Sequence, residues 1–202
     1  NVLAVNIEEN SNRRPVNYLI PPGIERVQQL SNNNVNIQQN EQAMSMQICN
    51  LKSGEGRGVF KTLNLDLRQY GQLKMFVHAE SVIGQPQVRD NDLSAVIRIG
   101  NDFVGNYYEV RIPLKITPEG QYVKEKADIV WPLENELDLS LQRLINLKIS
   151  RNNSGQPNLY FKETDADGKS YAIFGNPNLG EVRGMFLGIV NNSTGAACTE
   201  AW

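Results

Sequence analysis

Histidine and cysteine are both scarce in this chain, which has one histidine and two cysteines among 202 residues. The single histidine, His78, excludes metal sites built from several histidines and argues against a histidine-dependent catalytic triad. Phosphate-binding glycine loops, the nucleophile elbow G-x-S-x-G and the paired-cysteine spacing of zinc sites are also missing. We therefore expect a protein that is not an enzyme and has no cofactor, in which His78 is a surface or sheet-packing residue.

Long apolar runs and an excess of one charge are missing too. The formal net charge is only −2, and without clustered basic residues we expect no nucleic-acid partner. No run approaches the roughly 18 apolar residues of a membrane helix, and no signal peptide is visible. Strand-like composition in residues 1–7 and a bulky aromatic at Trp202 predict a segment cut from a longer protein.

What the sequence has is a two-residue period, clearest in residues 61–80. There it predicts a strand, a turn at residues 68–71 and a second strand whose alternate side chains face opposite sides of a sheet. Leu73, Met75, Val77 and Ala79 fall on one face of the second strand. The other face, expected to be the outer one, carries Lys74, Phe76, His78 and Glu80.

Similar short runs recur along the chain, separated by turn signals, and predict an all-β antiparallel sandwich or barrel. We expect at most one or two short helices, because residues 138–149 mix helical and strand periods and support a single helical turn. Residues 1–40, rich in proline and asparagine, are predicted to form an extended arm or linker. Residues 41–202 are predicted to form the β domain. Its expected strands cover residues 43–51, 58–66, 72–80, 93–100, 107–116, 129–131, 157–164, 170–174, 184–191 and 197–202.

Alternation is clear in residues 107–116. The side chains expected to face inward are Tyr108, Val110, Ile112 and Leu114, and those expected to face outward are Tyr107, Glu109 and Arg111.

The two cysteines, Cys49 and Cys198, lie near the two ends of the predicted β domain. The first and last strands of a sandwich are often neighbours, so a disulfide between them is geometrically possible. Its long loop would stabilise the fold by roughly 5 kcal/mol in the chain-entropy treatment. Two unpaired, buried thiols are the alternative, and the sequence leaves both open.

Residues 164–168, TDADG, are the one metal-like string. Asp165 and Asp167 are weak candidates for a structural calcium site, since alternate carboxylates can converge on a hard cation. The rest of a calcium loop is missing, because Lys169 occupies a middle position and no late glutamate follows. A hairpin turn that uses aspartate and glycine for conformational reasons is the favoured interpretation.

Aromatic residues offer a possible ligand surface. If Phe76, Tyr107, Tyr122 and Trp131 lie on exposed faces, they could form a platform on which sugar rings stack. Contact with other parts of a larger protein is the favoured alternative. A hydrolase is the weakest hypothesis, because it needs two acidic side chains facing each other across a cleft.

Several sequence blocks, in the same order over nearly the whole chain, resemble the SprA/Sov family of Bacteroidetes cell-surface proteins. Ile189 to Asn192 depart from the pattern, where an arginine and Asn-Pro are expected in many relatives. The matching blocks are residues 17–26, 40–42 with Cys49, 66–70, 73–80, 107–109, 131–136, 181–185 and 198–202.

The resemblance implies a fragment of a very large outer-membrane β-barrel, the translocon of the type 9 secretion system, which some species also need for gliding motility. It implies an insert between barrel strands, with a structural or gating role. Its expected partners are the rest of the barrel, other secretion-system proteins and secreted cargo. The strand order also resembles galactose-binding jelly rolls, so a carbohydrate-binding module that contacts glycans is the alternative function.

Overall fold

A computed structural model describes residues 1–26, 28–30, 36–38 and 40–202. Within these residues the α-helices are α1 (Ile7–Asn10), α2 (Ala127–Val130) and α3 (Leu141–Asn153). In chain order the strands are β1 (Val2–Asn6), β2 (Gln28–Leu30), β3 (Asn36–Gln38), β4 (Gln42–Leu51), β5 (Gly56–Leu65), β6 (Gln72–Met75), β7 (Ala79–Ser81), β8 (Leu93–Gly100), β9 (Tyr107–Pro113), β10 (Leu137–Ser140), β11 (Phe161–Thr164), β12 (Ser170–Phe174), β13 (Val182–Asn191) and β14 (Ala197–Ala201).

The strands form two main sheets, and the predicted all-β antiparallel sandwich is confirmed. One sheet has six strands in the order β11-β12-β9-β8-β13-β5, and the other has four in the order β1-β4-β14-β7. Two small sheets, β10-β6 and β2-β3, accompany them. All strand pairs in the described part of the chain are antiparallel.

The main hydrophobic core lies between the sheets and includes residues from both, together with β10 and α3. Alternate residues of the strands point into it, as a period of two requires. Along β9, Tyr108, Val110 and Ile112 belong to this core, whereas Tyr107 and Glu109 lie on the opposite face and are nonetheless buried. Both faces of the central strands are therefore covered.

The strand, turn and second strand predicted for residues 61–80 are present, but the two strands do not pair with each other as a hairpin. Strand β5 pairs with β13 in the six-stranded sheet, whereas β6 pairs with β10 and β7 pairs with β14. The second predicted strand is also interrupted, because β6 ends at Met75 and β7 begins at Ala79. A 3₁₀ turn at Leu67–Gln69, capped by Asp66, redirects the chain between the sheets. The alternation is real, but it spans two strands of different sheets.

The ambiguous period near residue 140 comes from a strand that leads directly into a helix. Leu137 and Leu139 alternate inward on β10, after which α3 begins at Leu141. Leu144 and Leu147 follow at helical spacing and are buried. The helix runs for 13 residues rather than the single predicted turn. The described chain has three α-helices where at most two short ones were expected, and two of the three span only four residues.

The N-terminal segment packs on the outer side of the four-stranded sheet. Strand β1 pairs with the edge of β4, and Val16 and Tyr18 are fully buried in a second hydrophobic cluster. Val2 of β1 and Ala201 of β14 both pair with Met46 of β4. The first and last strands are thus next-but-one neighbours in one sheet. The predicted division of the chain at residue 40 stays a prediction.

The turn between β8 and β9 is organised by Asp102. Its Oδ1 accepts hydrogen bonds from the backbone N–H groups of Val104, Gly105 and Asn106, and its Oδ2 accepts one from Asn106 Nδ2 at 2.9 Å. The side-chain amide of Asn106, with these backbone donors, holds the pKa of Asp102 well below its usual range. The ionised carboxylate therefore stabilises the turn.

Candidate functional site

The predicted aromatic platform does not form as an exposed surface. Trp131 is 4% exposed and Tyr107 is 8% exposed, and Phe76 and Tyr122 are partly buried against the second hydrophobic cluster. Phe76 contacts Trp131 with ring centroids 6.1 Å apart, whereas Tyr107 lies on the outer face of the six-stranded sheet beside Phe174. The prediction that these residues share exposed faces is wrong for Trp131 and Tyr107, and sugar binding by them stays a prediction.

One of these residues, Trp131, instead belongs to a buried group of aromatic and charged side chains, which we call the junction cluster. It joins the N-terminal segment, β7, the residues around α2 and the end of the chain. The cluster explains where Trp131 and His78 lie, and it contains residues that sequence reasoning missed. Its members are Arg13, Tyr18, His78, Glu80, Thr117, Trp131, Glu200 and Trp202.

The strand register brings the cluster together. His78 and Trp202 exchange backbone hydrogen bonds in both directions, which extends the β7–β14 ladder by one pair. Directly opposed residues have nearby side chains, and the rings of His78 and Trp202 stack with centroids 3.7 Å apart. Two residues further along the same face, Glu80 lies directly opposite Glu200.

Two opposed carboxylates would repel each other, and Arg13 offsets this repulsion by binding both of them. Its Nη2 lies 2.6 Å from Glu80 Oε1 and 2.7 Å from Glu200 Oε2. Burial lowers the pKa of Arg13, but its hydrogen bonds and charge interactions with the two glutamates outweigh that effect and raise it. Ser45 Oγ also donates a 2.6 Å hydrogen bond to Glu200. The N-terminal segment is thereby attached to the last strand.

The sequence correctly predicts which residues share a face with His78, but it wrongly predicts that this face is exposed. His78 and Glu80 share a face, as alternation predicts, yet His78 is fully buried and Glu80 is 1% exposed. The N-terminal segment covers this face, because Arg13 reaches Glu80 and Tyr18 packs on Trp202. A surface histidine is therefore excluded, and the sheet-packing alternative holds.

The surroundings of His78 resemble a nucleophile–base–acid arrangement but do not support that chemistry. Nδ1 lies 3.2 Å from Thr117 Oγ1 and 2.9 Å from the carbonyl oxygen of Val130, while Nε2 lies 3.1 Å from Glu80 Oε2. A carbonyl oxygen only accepts, so Nδ1 carries a proton and has no lone pair for the Thr117 proton. The Thr117 hydroxyl instead donates to Ile129 O at 3.3 Å.

Cys49 and Cys198 are joined by a disulfide between β4 and β14, across 149 residues of sequence. The two cysteines meet at a β-bulge. Ile48 pairs with Thr199 and Leu51 pairs with Ala197, so two residues of β4 lie opposite one residue of β14. Asn50, the second residue of the bulge, has a positive φ of 54°. The oxidation state of this pair in the cell stays a prediction.

Asp165 and Asp167 occupy a turn between β11 and β12. Asp165 Oδ1 accepts hydrogen bonds from the backbone N–H groups of Asp167 at 3.1 Å and Lys169 at 2.9 Å, and Tyr171 donates to its Oδ2. These contacts use the Asp165 carboxylate to shape the turn. Among the described residues, no group of three or more histidine, cysteine, aspartate or glutamate side chains is arranged to hold a metal ion. Calcium binding stays untested.

A second charged group lies on the outer face of the six-stranded sheet. Glu109 is 2% exposed and accepts 2.6 Å hydrogen bonds from Nε of Arg98 and of Arg111. The Arg98 guanidinium also lies 4.3 Å from the centre of the Tyr107 ring. Alternation placed Glu109 and Arg111 on this face correctly, but not their pairing.

The fold and the site together define the class of this protein, an antiparallel β domain with two main sheets. A buried network of ion pairs connects its segments, and the side chains that could carry chemistry contact other residues of the domain. No helix in the described ranges is long and apolar enough to cross a membrane. The sequence matches the SprA_N family, described as motility related/secretion protein, over residues 1–202, and the chain belongs to that family. The predicted family is thus confirmed. A search of curated proteins finds no match.

Proposed function

We propose that this chain is a non-catalytic structural and gating domain of a large outer-membrane protein translocon of the type 9 secretion system. It would lie at the surface of a Bacteroidetes-type bacterium, and its partners would be the surrounding barrel, other secretion-system proteins and passing cargo. Membership of a motility related/secretion family over residues 1–202 is the observation that carries the proposal. A wide barrel leaves an aqueous lumen, and folded inserts can cap or line it.

The strand order supports an inserted domain. An insert between two barrel strands needs its first and last strands close together, because both must connect to the same wall. Val2 and Ala201 pair with the two sides of Met46, and neighbouring strands lie about 4.8 Å apart. The two residues are therefore separated by about 10 Å, a distance that suits insertion.

The junction cluster supports a domain that acts as a rigid body. Arg13 connects the N-terminal segment to Glu80 and Glu200, and the Cys49–Cys198 disulfide connects β4 to β14. Both links restrain the strands of the four-stranded sheet, which contains the first and last strands. A domain that caps or lines an export path needs such resistance to local opening, whereas an enzyme needs accessible reactive groups.

The test is deletion of residues 41–200 from the parent protein, followed by three measurements: the amount of parent in the outer membrane, the amount of cargo secreted and the entry of a large antibiotic. A gating domain predicts normal membrane insertion, reduced secretion and increased antibiotic entry. Normal secretion and normal antibiotic exclusion at unchanged membrane levels would contradict the proposal.

The carbohydrate-binding alternative is tested separately by titration of the isolated domain with a glycan panel. Millimolar or tighter binding that is lost in Tyr107→Ala would favour the alternative. Because Tyr107 is buried under Arg98, the variant needs a fold check by circular dichroism. The exposed Tyr70→Ala, with Tyr70 at 60% exposed, serves as the matched control.

A further inference from the structure

Strand β5 lies at an edge of the six-stranded sheet and is long for an edge strand. It spans the ten residues Gly56–Leu65 and pairs with β13 along one side, whereas no described strand pairs with its other side. The other edge strands of the two main sheets, β1, β7 and β11, have five, three and four residues. Short edges limit pairing with foreign strands, whereas a long open edge presents a row of free backbone N–H and C=O groups. Strand β5 therefore has the length that an added strand needs.

The hydrogen bonds at the start of β5 show which of its backbone groups are free. Asn191 of β13 lies opposite Glu55 and donates to the Glu55 carbonyl oxygen at 2.9 Å, which makes this a hydrogen-bonded pair. Hydrogen-bonded and non-hydrogen-bonded pairs alternate along an antiparallel ladder, and the register is regular as far as Thr62. The backbone N–H and C=O groups of Gly58, Phe60 and Thr62 therefore point away from β13, toward the open side.

The face of β5 that is turned toward the other sheet carries two basic side chains. Arg57 donates a 3.2 Å hydrogen bond to the carbonyl oxygen of Cys49 and lies 3.9 Å from Glu55. Lys61 falls on the same face by alternation, is exposed and has no ion-pair partner among the described residues. The strand itself contains no acidic residue. Because opposite charges stabilise a cross-strand pair and like charges destabilise it, the edge favours an acidic strand and disfavours a second copy of β5.

Apolar side chains accompany the basic ones along the same edge. Val59, between the two basic residues, is partly buried against the main core. On the outer face Phe60 is 69% exposed, and its ring centroid lies 5.7 Å from that of Phe103, which lies 6.2 Å from that of Phe186. Aromatic and β-branched residues form stabilising pairs across neighbouring strands. An added strand would therefore be favoured if it placed apolar side chains opposite Val59 and Phe60.

We propose that β5 is the docking edge for an extended segment of another protein, which adds to the six-stranded sheet as an antiparallel seventh strand. Main-chain hydrogen bonds to the free edge supply affinity, and alternate side chains supply specificity. The recognised segment carries acidic side chains opposite Arg57 and Lys61, and apolar side chains opposite Val59 and Phe60. The docking edge does not depend on the gating function proposed above, and either can fail without the other.

The probe is a fluorescein-labelled peptide of sequence TVTEFVTET, which places its phenylalanine opposite Phe60 and its two glutamates opposite Lys61 and Arg57. We expect saturable binding to the 202-residue chain at micromolar concentrations, measured by fluorescence anisotropy. N-methylation of the peptide phenylalanine, whose N–H faces β5, should weaken binding at least tenfold. N-methylation of the valine that follows, whose N–H faces away from β5, should change the affinity less than threefold. Equal effects of the two modifications would overturn the proposal, as would the absence of saturable binding.

Exchange of charges tests where the strand adds. A second peptide, with lysine in place of the glutamate opposite Lys61, should bind the wild-type chain about fivefold more weakly than the first. In Lys61→Glu the preference between the two peptides should reverse. The matched control is Lys162→Glu, at an exposed position of β11 on the other edge of the same sheet, and it should keep the wild-type preference. Circular dichroism confirms that both variants are folded. An unchanged preference in Lys61→Glu, or an equal reversal in Lys162→Glu, would contradict docking at β5.

Two other occupants of the edge are distinguished by separate measurements. Sedimentation velocity of the chain alone should show a monomer, and a dimer that the peptide dissociates would assign β5 to a second copy. The peptide should also bind the longer parent protein, and binding by the 202-residue chain alone would assign β5 to another segment of the parent. Either of these results would overturn the assignment of β5 to a strand of another protein.

Discussion

Replacement of Arg13 by methionine tests whether the junction cluster holds the fold together. Methionine keeps much of the side-chain volume and removes the charge. The substitution leaves Glu80, at 1% exposed, directly opposite Glu200, with no guanidinium between them. Loss of one partner from a buried ion pair costs about 3–5 kcal/mol, because the remaining charge stays buried. We expect a loss of about 3 kcal/mol in the free energy of unfolding, since Glu200, at 14% exposed, can regain some hydration.

The assay is urea unfolding followed by tryptophan fluorescence, which reports directly on the cluster because the Arg13 guanidinium lies 5.4 Å from the centre of the Trp202 ring. The matched control is Arg183→Met, which removes an exposed ion pair with Glu181 and should cost far less, as exposed pairs contribute little. Adding Glu200→Gln to Arg13→Met should recover part of the loss. Equal stability of the Arg13 and Arg183 variants would refute the reasoning.

Three further predictions concern other parts of the fold. Replacing Cys49 and Cys198 together by alanine, or reducing the disulfide, should lower the free energy of unfolding. For a separation of 149 residues the chain-entropy treatment gives a loss of about 5 kcal/mol, which urea unfolding with and without reductant would measure. The pKa of Asp102 is lowered in the folded protein. The ionised Asp102 therefore stabilises the fold above its unfolded-state pKa of about 3.9, and this contribution is lost as the pH falls below that value. Asp102→Asn should flatten the decrease in the free energy of unfolding between about pH 5 and pH 2. Leu144→Ala, at a fully buried position of α3, should cost about 2–5 kcal/mol by thermal or urea unfolding, whereas Ile145→Ala, at a position 40% exposed, should cost much less.

The sequence could predict what depends on local pattern. Alternation along residues 107–113 identified which side chains face the core, and it placed His78 and Glu80 together on one face. The leucine spacing after residue 137 reflects both the strand β10 and the helix α3. Because the two-residue period of the strand runs directly into the helical period, the length of the helix could not be predicted. The family resemblance was also present in the order of short blocks and is confirmed by the match over residues 1–202.

Contacts between distant segments could not be predicted in the same way. Burial of His78 depends on Arg13 and Tyr18, which lie more than 55 residues earlier in the sequence, so alternation alone suggested an exposed face. Divergence of β5 and β6 into different sheets depends on their partners β13 and β10. The opposition of Glu80 and Glu200 likewise follows from the register of β7 and β14, and no local signal marks it.

The pairing of β1 and β14 with opposite sides of β4 also determines how the domain would carry mechanical tension. Both strands run antiparallel to β4, with Val2 and Ala201 level at Met46, so the chain enters the sheet from one direction and leaves it in the other. Ladder hydrogen bonds lie perpendicular to the strands. A pull along the strands would therefore load the bonds of each ladder together in shear, instead of opening them one at a time. Because the bonds of a ladder that is loaded in shear must break together, this arrangement resists such a pull better than one in which the bonds open in sequence.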